Sequence, residues 1–497
     1  MRALTLDLVA HHEKELKQAK YLVIAQAFRD AIKNGQLTAN ETLPSARKLA
    51  SQLAVNRHTV MAALAELVAQ GWLESKERSA YRVVENLPIQ TSKVVNKVSH
   101  KQQAFDWRFR KVQQPVDKAS LQASLYRYNF SGGQPDISKF PFAEFKSHFS
   151  QNCQRPKVDQ LSYGDTRGDK ALITEIAKYL RRVRSITDKE LMICNGSQEA
   201  LYMISQVLLQ PGDKVAVEQL GYPPAWAAFK SSGAQLVAIK QDALGIIPGH
   251  LASVLAQGQV KLLYLTPLHQ YPTTVSLDIS RRMQIYQLAA QYQVAIIEDD
   301  YDHEFHFDSQ PNAPMASDDP VGLVIYISTF SKLMFGSARI GYVVADEQLI
   351  AQLAAYKMLM NHKCNVLMQQ TVAKWMQQGG FEAQLRRMTK LYHRRRDFIV
   401  AQLHAYQRQG LPIQFEIPAG GMAIWLDTGK SVVGLKESLL SKQVYLQTEI
   451  EFNIIKDLPE QHYRFIRLGF AAMNEQEVVQ GLKLIFSSLY TINNNAD

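Results

Sequence analysis

The sequence predicts an α/β protein: a small helical module at the N-terminus, then a large domain built on a mostly parallel sheet. Three observations carry this expectation. Residues 17–71 repeat apolar side chains at helical spacing and lead into a short alternating stretch. From about Tyr128 onward, short β-branched runs alternate with helical segments, the order of a parallel sheet with crossover helices. At 497 residues the chain also exceeds what one hydrophobic core usually supports, so more than one domain is expected. The boundaries read as 10–85 for the first module, 86–120 for a polar, basic linker without steady periodicity, and 121–497 for the large domain.

In the first module, "KQAKYLVIAQAFRDAIKNG" sets Ile24, Phe28, Ala31 and Ile32 on one face and stops at Gly35. After Pro44 a second helix turns Ala46, Leu49, Ala50 and Leu53 inward. Asn56 is a good N-cap for a third, in which Val60, Ala63, Leu64, Leu67 and Val68 recur before Gly71. Two short helices joined by a tight turn suit a DNA-reading motif whose second helix enters the major groove by its N-terminal end. Arg57, His58 and Thr59 are the first exposed residues of that helix, and Arg47 points outward from the one before it. Arginine forks onto guanine or phosphate, and a threonine at a helix N-terminus holds phosphate. "WLESKERSAYRVV" then alternates like a β-hairpin wing, with Arg78 and Arg82 available for the DNA backbone.

A formal charge of +10 permits an acidic partner, double-stranded DNA included. Cys153, Cys194 and Cys364 are scattered and odd in number, which suits a reducing compartment and forms no metal-ligand cluster. No apolar run is long enough to span a bilayer, and "MRALTLDLVAHHEKE" lacks the apolar core of a signal peptide. The expectation is a cytoplasmic protein with no metal and no membrane association.

In the large domain "DKVAVEQ", "VKLLYLTP", "VAIIEDD" and "LVIYISTF" read as strands. Ligands of parallel sheets collect at the C-terminal strand ends, and the distinctive residues cluster there. "VAIIEDDYDHEF" ends a strand in Glu298, Asp299 and Asp300, followed by Tyr301; a carboxylate there suits a protonated ring nitrogen. "MICNGSQEAL" starts a helix at Gly196, Ser197 and Gln198, where backbone N–H groups cradle a phosphate. "EQLGYPPAW" places Tyr222 in a turn where an aromatic ring can stack on a flat ligand. "STFSKLMFGSARIGY" offers Lys332 at the mouth of a strand. A lysine, a strand-end carboxylate, a phosphate cradle and an aromatic stacker together match pyridoxal 5′-phosphate, which needs a Schiff-base lysine, an acid for its ring nitrogen and donors for its phosphate.

The lysine loop resembles that of fold-type I aminotransferases, and "LPSARKLASQLAVNRHTV" resembles the GntR-type winged helix. Together the chain resembles the MocR family of GntR-type regulators, GabR- and PdxR-like, over nearly its whole length. The resemblance implies a PLP-dependent transcriptional regulator that binds operator DNA and senses either PLP alone or PLP together with an amino acid or amine; an active aminotransferase with a regulatory appendage is the alternative. It implies that Lys332 carries the cofactor, that Ser197, Gln198, Ser331 and Arg339 hold its phosphate, and that Asp299 faces the ring nitrogen. It further implies Tyr301 at the phenolic oxygen, Tyr222 on the ring, and Tyr163 lent to the phosphate site of the partner in a head-to-tail homodimer. Arg467, which alone reads as a surface strand residue, would clamp an effector carboxylate.

The chain departs from the family pattern in three places. The wing has no glycines, Gly336-Ser337 stands where the lysine loop often has Pro-Gly, and "TPLHQYPTTVSL" lacks the Asn-Pro-x-Gly of aminotransferases. His269 and Gln270 are both candidates for that missing asparagine, and Asp300 remains the alternative to Asp299.

Overall fold

The computed structural model describes residues 19–75, 81–87, 122–154, 162, 164–308, 310–456 and 458–494. The chain falls into two compact units, Met1–Phe109 and Arg110–Asp497.

In the first unit, α1 (Lys20–Lys33), α2 (Ala46–Gln52) and α3 (Arg57–Ala69) pack around a core that includes Phe28, Leu49, Leu64, Leu67 and Trp72. Ser45 caps α2 by accepting from the Lys48 amide, and Asn56 caps α3 by accepting from the His58 amide at 2.9 Å. The chain reverses at Gly35 and Gly71 with φ of +72° and +74°, a conformation that glycine adopts without strain. The expected wing is the antiparallel pair β1 (Leu73–Ser75) and β2 (Tyr81–Val83), in register Leu73 to Val83.

The second unit is built on a seven-stranded sheet. Its strands in chain order are β3 (Glu190–Cys194), β4 (Lys214–Glu218), β5 (Gln235–Ile239), β6 (Val260–Leu265), β7 (Ala295–Asp299), β8 (Val324–Thr329) and β9 (Gly341–Ala345). They lie in the order β3-β9-β8-β7-β6-β4-β5, and every pairing is parallel except the two made by β9. Successive side chains feed opposite cores: Ile296 packs into one and Ile297 into the other. All six residues of β8 are buried, which explains its unbroken apolar run.

The sequence reading missed a second sheet. The strands β10 (Gln414–Phe415), β11 (Ala423–Asp427), β12 (Gln447–Thr448) and β13 (Phe465–Gly469) form an antiparallel sheet in the order β10-β11-β13-β12. Two of them are only two residues long, too short to show a period. No helix among the described residues is long and apolar enough to cross a membrane. Among the described residues no group of three or more His, Cys, Asp or Glu could hold a metal ion.

Candidate functional site

The strand β8 runs straight into a 3₁₀ turn, Phe330–Lys332, whose start is fixed by the Ser331 amide donating to Thr329 Oγ1 at 3.2 Å. That turn delivers Lys332 to the C-terminal edge of the sheet. Its Nζ donates to the Gly133 carbonyl at 2.9 Å and lies 5.8 Å from the centre of the Tyr301 ring. Gly133, at φ +84°, leaves the room: a Cβ there would stand 2.9 Å from Nζ. Burial pulls the Lys332 amine below the usual lysine range, with Asp302 and Asp299 opposing the shift and Arg467 reinforcing it. A lysine tuned this way reaches the neutral, nucleophilic form more readily.

The neighbouring carboxylates have different fates. Asp300 accepts from Arg184 Nη2 at 2.6 Å and from the Tyr326 hydroxyl at 2.7 Å. Burial alone would raise its pKa, but Arg184, His303 and Tyr326 hold it below the usual carboxylate range. Asp299, 4% exposed, accepts from the Tyr264 hydroxyl at 2.8 Å through Oδ2, while its Oδ1 has no partner. Burial pushes Asp299 up to about 7. Asp300 is thus tied into an internal ion pair and Asp299 only to a tyrosine hydroxyl, while each keeps an Oδ1 without a partner.

The candidate phosphate cradle lies where β3 meets α4 (Ser197–Leu208). Gly196 precedes this helix at φ +87°, and Gly341 of β9 packs so tightly that a Cβ on it would come within 2.7 Å of Gly196 Cα. Arg339, itself in the left-handed region at φ +51°, donates from Nη2 to the Asn195 carbonyl. The Asn195 amide and side chain in turn donate to Glu199 at 2.6 and 2.8 Å. Gln198 donates to the Pro224 carbonyl at 2.9 Å and keeps Oε1 buried without a partner. The helix N-terminus, Ser197 and the Arg339 guanidinium make a site for a dianion. Tyr222 precedes α5 (Pro223–Ser231) and meets the Tyr271 ring edge-on at 5.1 Å; burial raises its hydroxyl pKa. Ser331 is half-buried beside Thr329, whose Oγ1 lies 3.1 Å from its Oγ.

Gln270 spends its side chain inside its own loop, donating to the Leu220 and Tyr271 carbonyls at 2.7 and 2.6 Å and accepting from Thr273. His269 instead pairs Nδ1 with Asp302 Oδ1 at 2.7 Å and leaves Nε2 buried without a partner. The Tyr301 hydroxyl donates to the His269 carbonyl at 3.0 Å. Arg467 lies on β13 and is 1% exposed, which corrects the isolated reading of a surface strand residue. Its guanidinium sits 4.3 Å over the Tyr271 ring, with Nε and Nη1 unpartnered, and Gly132 makes the space: a Cβ there would fall 1.7 Å from Nη1. The His269–Asp302 pair, Tyr264, Arg184 and the two glycines were missed from sequence. Only the doublet in "FSGGQPD" carried a signal, as a close backbone approach.

These residues fit pyridoxal phosphate. Buried polar atoms normally have partners, so the unpartnered Asp299 Oδ1, His269 Nε2 and Arg467 Nη1 suit a polar ligand. Tyr163 and Arg78 lie outside the described residues. In the first unit Arg47, Arg57 and His58 are exposed and Thr59 is half-buried. Arg82 is partly tied down, its Nε donating to the Asn40 carbonyl at 2.7 Å.

Comparison with known proteins places both units. Residues 129–485 match the aminotransferase class I and II family, and residues 20–83 match the bacterial regulatory proteins of the gntR family. The probable rhizopine catabolism regulatory protein MocR of Rhizobium meliloti is 30% identical, over 76% of this chain and 75% of its own length. The HTH-type transcriptional regulator TauR of Rhodobacter capsulatus is 27% identical, over 94% of this chain and 96% of its own. Among solved structures, kynurenine aminotransferase of Pyrococcus horikoshii superposes with a TM-score of 0.70 at 27% identity, covering 77% of this chain and 97% of that one. With a gntR-type reader and a pyridoxal phosphate pocket in one chain, the protein belongs to the MocR family of PLP-dependent transcriptional regulators.

Proposed function

We propose that Lys332 holds pyridoxal 5′-phosphate covalently and that the state of this lysine sets the DNA affinity of the first unit. Bound there, the cofactor supplies an aldehyde for amines and a ring that draws electrons. The observation that carries the reading is a lysine whose amine burial pulls below the usual range at one strand end and, at the end of the adjacent strand, Asp299 with its Oδ1 unpartnered. In their proposed roles, Asp299 accepts from the ring N–H and Tyr301 faces the phenolic oxygen, with His269 Nε2 favoured over Gln270 as its neighbour. Tyr222 stacks on the ring, while Ser197, Gln198, Ser331 and Arg339 hold the phosphate. Arg467 receives the carboxylate of an amino acid or related amine. Operator contacts fall to Arg47, Arg57, His58 and Thr59.

The units proposed to do this are residues 10–85 and 121–497, joined by 86–120, in a cytoplasmic head-to-tail homodimer in which Tyr163 serves the partner's site. A second copy is also the natural cover for Leu359, which is 87% exposed at the end of α6 (Glu347–Met360). An effector shifts DNA binding only if it binds two conformations unequally. Freeing the Lys332 amine restores a positive charge beside Asp302 and Asp299, which gives the two states different electrostatics.

Absorbance spectra of PLP-loaded wild type and Lys332→Ala, followed by anisotropy titration of DNA with and without PLP and candidate amines, test the reading. The covalent lysine band is expected in wild type alone, together with a change in DNA affinity or stoichiometry. Identical spectra, or DNA binding indifferent to both ligands, would refute it. The complete set of Lys332, Asp299 and Arg467 keeps half-transamination as the second reading; repeated turnover on a keto acid would favour it.

A further inference from the structure

The two sides of α3 are both largely apolar, and only one of them is buried. Val60, Ala63, Leu64 and Leu67 face the core of the first unit. On the other side Arg57, His58, Met61, Ala62, Ala65 and Ala69 are exposed. After His58, none of these exposed residues carries a hydrogen-bonding side chain. A surface helix normally turns polar or charged side chains to water. Met61, 41% exposed, stands one turn beyond Arg57 and one turn before Ala65. The alanines keep the helix narrow enough for close approach, and exposed Arg47 and Lys48 on α2 and Arg57 on α3 add positive charge to the same unit. The surface therefore suits an occupant that is strongly anionic and yet offers apolar groups. In the major groove the apolar group at a base edge is the C5-methyl of thymine.

We propose that Met61, assisted by Ala62 and Ala65, contacts thymine methyl groups in the operator, so that α3 reads bases by apolar contact beyond its first turn. The inference rests on the reading of α3 as the helix that enters the groove. Its test begins with selection of preferred duplexes from a random library by the full PLP-loaded protein. Wild type and Met61→Ala are then titrated on the selected duplex and on copies in which single thymines are replaced by deoxyuridine, which lacks only the methyl.

At one or two positions the deoxyuridine swap is expected to weaken wild type roughly fivefold. Met61→Ala is expected to lose a similar factor on the thymine duplex and little more on the deoxyuridine one. Arg57→Ala serves as comparator, weakening both duplexes alike. No deoxyuridine effect at any position, or penalties that multiply independently, would overturn the methyl contact, as would an unchanged Met61→Ala. Failure to select any preferred duplex would overturn the groove reading itself. Because Met61 is exposed, an unchanged unfolding midpoint for Met61→Ala keeps the comparison free of folding effects.

Discussion

Asp299→Asn is expected to stabilise the PLP-free protein above neutral pH while weakening its hold on PLP. In the unfolded chain an aspartate loses its proton near 3.8, whereas the folded, PLP-free protein keeps it up to about 7. Between those values the folded state binds a proton that the unfolded state has lost. Stability from this group is therefore complete below pH 4, declines as pH rises, and is gone above pH 7. A displacement of about 3 pH units at 1.36 kcal/mol each bounds the loss at about 4 kcal/mol. Asparagine carries no such penalty and still offers an oxygen to the Tyr264 hydroxyl. Thermal unfolding of the PLP-free proteins from pH 4.5 to 8.5 is the assay. Glu218 and Glu298 are also pushed up to about 7 by burial, but they are common to both proteins and cancel in the difference. The variant is expected to unfold several degrees above wild type at pH 8, and the gap is expected to close towards pH 4.5. With PLP added, wild type is expected to gain more, because a ring N–H then pairs with the carboxylate. Parallel pH profiles for the two PLP-free proteins would refute the assignment.

Two other predictions follow from packing. Arg184→Met removes the ion-pair partner of fully buried Asp300 and is expected to cost about 3–5 kcal/mol, read as a lower urea midpoint of the second unit. Gly341→Ala places a Cβ 2.7 Å from the Gly196 backbone and 2.9 Å from the Ser197 amide. It is expected to weaken PLP retention at least tenfold on dialysis, while α1–α3 keep their helicity.

The fold was legible where periodicity was strong. Buried parallel strands announce themselves as unbroken β-branched runs, and α1–α3 carried helical spacing, with Gly35, Asn56 and Gly71 marking ends. The four-stranded sheet was illegible because β10 and β12 are too short to show a pattern. For the site, residue types at strand ends sufficed to nominate Lys332, Ser197 and Tyr222. They could not tell the surroundings of Asp299 and Asp300 apart, since their partners Tyr264 and Arg184 lie 35 and 116 residues away in sequence. His269 was likewise indistinguishable from Gln270 until the loop showed which side chain was consumed by its own backbone. The burial of Arg467 depends on Gly132, a partner that no local window contains.

The Gly133 carbonyl receives the Lys332 ammonium, and it belongs to a stiff little knot. Ser131 donates to Asn129 Oδ1 from its amide and hydroxyl at 2.9 and 2.5 Å, and Asn129 in turn reaches Gln134 at 3.2 Å. This knot is among the first pieces of the second unit that the chain meets on its way out of the DNA reader. Whenever the amine is bonded elsewhere, the Gly133 carbonyl loses this donor, so the knot is a part of the second unit that registers the state of the lysine.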